Sequence, residues 1–179
     1  YGGLNFIEFS EKEASVNPIQ IDPDIKKSLE KNLLLFFTKK TRQASTILQR
    51  QEDSIKGKDT SIIEAMIEVK NNAYHIKEAL EVGDLKRFGS LLDQAWNSKK
   101  KMSPEISNDY LDRIYEIASQ NGALGGKIAG AGGGGYFMFY CEEEKQENLK
   151  NAMASEKLAF LDFNFSDKGV TILNNGNAV

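Results

Sequence analysis

The residues best suited to chemistry lie together at 127–140, KIAGAGGGGYFMFY. Gly130, Gly132, Gly133, Gly134 and Gly135 have only Ala131 among them, so glycine fills five of six consecutive positions. Such a run is entropically costly to order, and it implies a backbone that takes positive φ or is closely approached by another group. Main-chain N–H groups gathered into one concavity form a nest for an anion, usually phosphate. Gly130-x-Gly132-x-x-Gly135 matches the dinucleotide fingerprint in spacing, but that fingerprint opens a helix after a strand. Here Tyr136 to Cys141 reads as an aromatic strand. A Walker loop is excluded as well, because Tyr136 stands where Lys and Ser/Thr belong. A plain hairpin turn is the simpler alternative, although about two loop residues suffice for one.

The rest of the chain must position this loop. It has 179 residues, 40% of them hydrophobic and 27% charged, a composition ordinary for one globular domain. A net charge of −3 gives no bulk positive field to recommend nucleic acid or an anionic membrane as partner. No apolar run approaches the roughly 20 residues that span a bilayer. The single cysteine, Cys141, excludes an internal disulfide and fits a reducing, cytoplasmic setting. At the end of an apolar strand, it reads as packing and not as a nucleophile. The first residue is Tyr1 and not Met, which suggests a piece of a longer protein.

Strands are expected at 4–9 and 19–21, joined by a polar connection at 10–18. Asp22-Pro23-Asp24 can start a short helix to 28 or 29. Residues 33–38 form a continuous apolar run, the mark of a central strand buried on both faces. Residues 41–51 look helical, and 49–59 look like loop. Ser61-x-x-Glu64 reads as a capping box opening a long helix with an inward stripe of Ile62, Met66, Val69, Ala73, Ile76 and Leu80. Gly83 ends it, and Asp84 caps a second helix carrying Leu85, Phe88, Leu92 and Ala95 or Trp96. Ser107 is expected to cap a third, with Leu111, Ile114 and Ala118 inward and Gly122 at its C-terminal end. After the strand–glycine loop–strand unit come a charged helix at 142–157 and a terminal hairpin from 158–165 and 169–173. The pattern predicts a single α+β domain, an antiparallel sheet with helices packed mainly on one face.

With the loop placed between two strands of such a domain, KIAGAGGGGYFMFYC resembles the third motif of the GHMP kinases, the superfamily of galactokinase, homoserine kinase and mevalonate kinase. Residues 1–6, 38–42, 96–107 and 121–140 are most similar to the D-glycero-D-manno-heptose 7-phosphate kinase branch. Lys39 departs from that branch, which often has Gly there. The resemblance implies a ferredoxin-like C-terminal domain over residues 1–179 that packs against an N-terminal half absent from this chain. That half would carry the ATP phosphate loop and the catalytic residues, leaving none here. The whole enzyme would transfer the γ-phosphoryl group of ATP, with Mg²⁺ assisting, to the anomeric hydroxyl of a heptose phosphate. Fucose or another sugar is the alternative acceptor, and a non-catalytic domain binding a phosphometabolite is the alternative from another class.

Under that resemblance the backbone from Gly130 through Ala131 to Gly135 closes the nucleotide cleft. An acceptor that already bears a phosphate needs a second anion site, for which arginine and lysine suit. Lys127 and Arg42 are the candidates, each with a plainer reading: Lys127 as a strand-edge charge and Arg42 as a solvated helix residue. Lys99-Lys100-Lys101 reads as a solvated helix end. His75 reads as a boundary or surface residue, and Glu142-Glu143-Glu144 as an acidic first helical turn; no metal site is expected.

Overall fold

The computed structural model describes residues 1–40 and 59–171, with Gln49, Asp53 and Gly57 between them. The elements, in order, are β1 (Asn5–Phe9), β2 (Ala14–Pro18), α1 (Pro23–Asn32), β3 (Leu33–Phe37), α2 (Thr60–Glu81), α3 (Leu85–Lys100), α4 (Asp109–Gln120), β4 (Ala123–Ile128), β5 (Tyr136–Cys141), a 3₁₀ turn (Glu143–Lys145), α5 (Gln146–Ser155) and β6 (Ala159–Leu161). They form the expected α+β fold. A four-stranded antiparallel sheet runs in the order β4-β5-β3-β6, and β1 and β2 form a separate two-stranded ribbon.

The apolar run at 33–37 takes a central place, hydrogen-bonded to β5 on one side and β6 on the other. Period-two alternation divides its side chains between two clusters. Leu34 and Phe36, opposite Phe139 and Phe137, join Trp96, Leu111, Ile114, Ala118, Leu149 and Met153. Leu33, opposite Tyr140, joins Leu29, Ala79, Leu80, Phe88 and Leu92. Each large apolar side chain so buried contributes about 1.5–3 kcal/mol. Trp96 is fully buried against Phe137, ring centroids 5.8 Å apart, and its indole N–H finds no partner among the described residues.

Several local expectations need correction. The second strand is Ala14–Pro18, not 19–21, because its register is set by pairing with β1 along its whole length. α1 runs past 29 to Asn32 and passes directly into β3, with Leu33 as its C-cap. The cap of α2 is Asp59, whose carboxylate accepts from the N–H groups of Ser61 and Ile62, so Ser61 sits inside the helix. Its deepest line is Ala65, Asn72, Ala79 and Leu80, while Ala73 is exposed. Asn108, not Ser107, caps α4 through a bond from Leu111 N–H. The terminal hairpin does not form within the described residues. β6 instead pairs with β3, and the following chain docks on the start of the protein: Gly3 N–H donates to Ser166 O at 2.8 Å, and Lys26 meets Asp167. The expected helix at 41–51 and most of the 49–59 loop lie outside the described residues.

Candidate functional site

The glycine loop hangs between β4 and β5, its neck closed by Ala129 N–H donating to Tyr136 O at 2.8 Å. Gly130, Gly132, Gly133, Gly134 and Gly135 all hold positive φ, from 76° to 141°. At Gly134 a glycine is required twice over. Its φ is 141°, and a Cβ there would collide with the Lys40 carbonyl. Two amides are engaged inside the protein: Gly133 N–H donates to Ile106 O at 2.8 Å, and Gly135 N–H to Lys40 O at 2.6 Å. Among the described residues, those of Gly130, Ala131, Gly132 and Gly134 find no acceptor.

The end of β3 clamps the same loop. Thr38 N–H donates to Gly135 O at 2.8 Å, and the Thr38 hydroxyl lies 2.9 Å from that carbonyl and 3.1 Å from the Gly135 amide nitrogen. Thr38 is buried, so these bonds are shielded from water. Lys39, next in line, adopts φ 57°, a left-handed backbone on a residue with a Cβ. It is the conformation a glycine takes readily at that turn.

Two lysines stand beside this loop. Lys127, near the end of β4, is half-buried, and burial holds its ammonium below the usual lysine range. Lys99, in the last turn of α3, donates from Nζ to the Gly130 carbonyl at 2.6 Å. Burial first, and the nearby Lys127 charge second, push Lys99 down to about 8. Lys100 and Lys101 instead reach carboxylates, Asp112 and Glu68, each at 3.1 Å. Neither Lys99 nor Lys127 has an acidic partner among the described residues. Lys40 stands with Nζ 4.5 Å from the centroid of the Tyr110 ring.

The structure therefore brings Lys127 and the glycines together at one place. Arg42 lies outside the described residues. Lys99 is the residue that sequence reasoning missed; nothing in the letters KKK distinguishes its first member, because only the fold lays that turn of α3 over the loop. His75 is exposed on α2. Among the described residues, no three or more His, Cys, Asp or Glu side chains stand where they could share a metal ion. No helix among them is long and apolar enough to cross a membrane.

Residues 76–159 match the family model for the GHMP kinases C terminal, and the chain carries a GHMP kinase C-terminal domain. Over 173 residues it is 41% identical to the D-glycero-alpha-D-manno-heptose 7-phosphate kinase of Campylobacter jejuni, a match covering 95% of this chain and 50% of that protein. It is 28% identical to the bifunctional fucokinase/GDP-fucose pyrophosphorylase of Arabidopsis thaliana, over 77% of this chain and 13% of that one. Among solved structures, a candidate sugar kinase of Campylobacter jejuni superposes with a TM-score of 0.65 at 38% identity, covering 92% of this chain and 46% of that chain. The chain thus spans about half the length of the heptose kinase it matches.

Proposed function

We propose that this chain is the C-terminal half of an ATP-dependent sugar kinase that phosphorylates the anomeric hydroxyl of D-glycero-D-manno-heptose 7-phosphate. Its place is the cytoplasmic synthesis of GDP-heptose. The 41% identity to a heptose 7-phosphate kinase along 95% of the chain carries this reading. The geometry agrees with it. Phosphoryl transfer depends mostly on positioning and on stabilising charge spread over phosphoryl oxygens, and a rigid loop beside two ammonium groups offers both. Lys127 and Arg42 are assigned to the acceptor's own phosphate, and the backbone from Gly130 to Gly135 to the wall of the nucleotide cleft.

ATP supplies the transferred group. Mg²⁺ and the catalytic residues are assigned to the N-terminal half; among the described residues no three or more His, Cys, Asp or Glu side chains stand where they could share a metal ion. The surface that receives that half includes the ribbon. Phe6, Ile7, Phe9, Val69 and Tyr74 line an open groove of about 630 Å³ between β1–β2 and α2, and Phe9 is 83% exposed.

The test is an assay of the full-length protein with ATP and heptose 7-phosphate beside fucose. Turnover of heptose 7-phosphate with at least a tenfold preference in kcat/KM, about 1.4 kcal/mol, is the expected result. Preference for fucose favours the second reading, for which the 28% identity to the fucokinase speaks. Binding of a phosphorylated sugar without turnover of any acceptor would leave a non-catalytic module.

A further inference from the structure

We propose that Lys99 and Lys127 together form a subsite for a phosphate monoester, with the Gly130 carbonyl holding Lys99 in place. The kinase reading contributes only the identity of the monoester, the acceptor's own phosphate; the subsite stands on geometry.

Lys99 Nζ reaches the Gly130 carbonyl just past Lys127, so two ammonium groups share this end of β4 and repel, at a cost that grows as water is excluded. A surface lysine ordinarily avoids this by swinging into solvent or finding a carboxylate. The next two residues do find one, on Asp112 and Glu68. Lys99 instead turns toward β4 and binds a neutral carbonyl at 2.6 Å. An ammonium has three donors. One is engaged by Gly130, so two remain for acceptors, and Lys127 adds a second cation for a dianion's second charge.

The placement is not a loose side-chain accident. α3 touches β4 backbone to backbone: a Cβ on Gly125 would strike the Gly89 carbonyl and the Asp93 amide. That contact fixes the height of the last turn of α3 against the strand that carries Lys127. Of the other charged groups on α3, Lys86 pairs with Glu142, Arg87 with Glu78 and Lys100 with Asp112. Asp93 accepts from Tyr115 at 2.7 Å and from Asn97 at 3.1 Å, and Lys40 lies on Tyr110. None of them neutralises the pair.

A phosphate could come from the sugar or from the nucleotide, and the experiment separates the two. The full-length protein is titrated calorimetrically with heptose 7-phosphate, with unphosphorylated heptose, and with a non-hydrolysable ATP analogue, for the parent and for Lys99→Gln, Lys99→Arg and Lys127→Gln. The expected result is a loss of at least tenfold in heptose 7-phosphate affinity in both Gln variants, largely restored in Lys99→Arg. Affinities for unphosphorylated heptose and the ATP analogue should stay within about twofold. Titration at pH 8 in two buffers of different ionisation enthalpy gives a second readout. The parent should take up protons as the monoester binds, since burial and the Lys127 charge hold Lys99 down to about 8, and Lys99→Gln should take up fewer.

A tenfold loss confined to the ATP analogue would keep the phosphate subsite and give it to the nucleotide. Parent-like affinities for both phosphate ligands in both folded Gln variants would overturn the proposal. If Lys127→Gln does not fold, Lys99→Gln decides alone. Should the parent bind heptose 7-phosphate through these lysines yet phosphorylate nothing, the kinase reading fails and the subsite stands.

Discussion

The β4–β5 loop and the β1–β2 ribbon are opposites in a way their backbones conceal. The ribbon is regular, with five residues on each strand in unbroken antiparallel register. The loop has no repeating structure at all. Yet the ribbon leaves Ile7 45% and Phe9 83% exposed, and α2 supports it mainly through the Phe6–Tyr74 ring contact at 5.1 Å and the Tyr74 hydroxyl donating to Glu8 at 2.9 Å. The loop is bonded to β3, to the Lys40 turn and to the segment before α4. An isolated two-stranded ladder is only marginally stable in water, whereas irregular backbone anchored at several points inside the protein can be rigid. Regularity of hydrogen bonding and firmness of structure are separate properties in this molecule.

The sharpest way to break that contrast is Gly134→Ala. It adds both the strain of φ 141° and a collision with Lys40, and should cost 3 kcal/mol or more, roughly the upper range for point mutations. Gly130→Ala, at φ 92° with open space around it, should cost only about 1–2 kcal/mol. Chemical denaturation gives both numbers; equal losses would mean that the clamp on the loop is not what demands glycine. Next, Thr38→Val removes the hydroxyl shared with Gly135 and Lys40 and should cost about 1–3 kcal/mol.

Lys99 gives a pH test. Its folded pKa, about 8, lies below the ordinary 10.5, so the unfolded chain binds the proton more tightly. The penalty is fully present below pH 8 and is relieved as pH rises toward 10.5, so stability should climb across that window. Lys99→Met should reduce the climb to what Lys127 contributes, since burial lowers that ammonium too; a parent flat from pH 8 to 10.5 would contradict it. Smallest is Phe9→Ser on the ribbon, expected to change the stability of this chain by no more than about 0.5 kcal/mol. Amides of β1 and β2 should also exchange faster than those of β3 and β5. A large loss on Phe9→Ser would show that the ribbon is packed after all.

The core strands were legible because their burial is written in their letters: the runs at 33–37 and 136–141 have few polar residues to lose. β2 was not, since Ser15-Val16-Asn17-Pro18 carries no apolar alternation and becomes a strand only because β1 offers it a partner. Caps were misplaced by one or two positions at Ser61 and Ser107, where another side chain of equal capping ability, Asp59 or Asn108, stands nearby. Lys39 marked a departure whose meaning needed φ: the turn keeps a glycine-like backbone without the glycine. Lys99 needed more. Its role depends on a helix end meeting a loop some 30 residues away, and no local pattern encodes that meeting.

At Gly125 the strand β4 meets the backbone of α3 with no side chain interposed, the space of a Cβ being taken by the Gly89 carbonyl and the Asp93 amide. Elsewhere helices ride on a cushion of Leu, Phe and Met whose shapes can be exchanged, letting the helix drift by fractions of an ångström. Here the seat is bare main chain, the one part of a polypeptide that substitution cannot resize. Outward-facing residues of α3 can therefore be rewritten while its final turn keeps the same height over the loop, whereas a methyl group at Gly125 would lift it off.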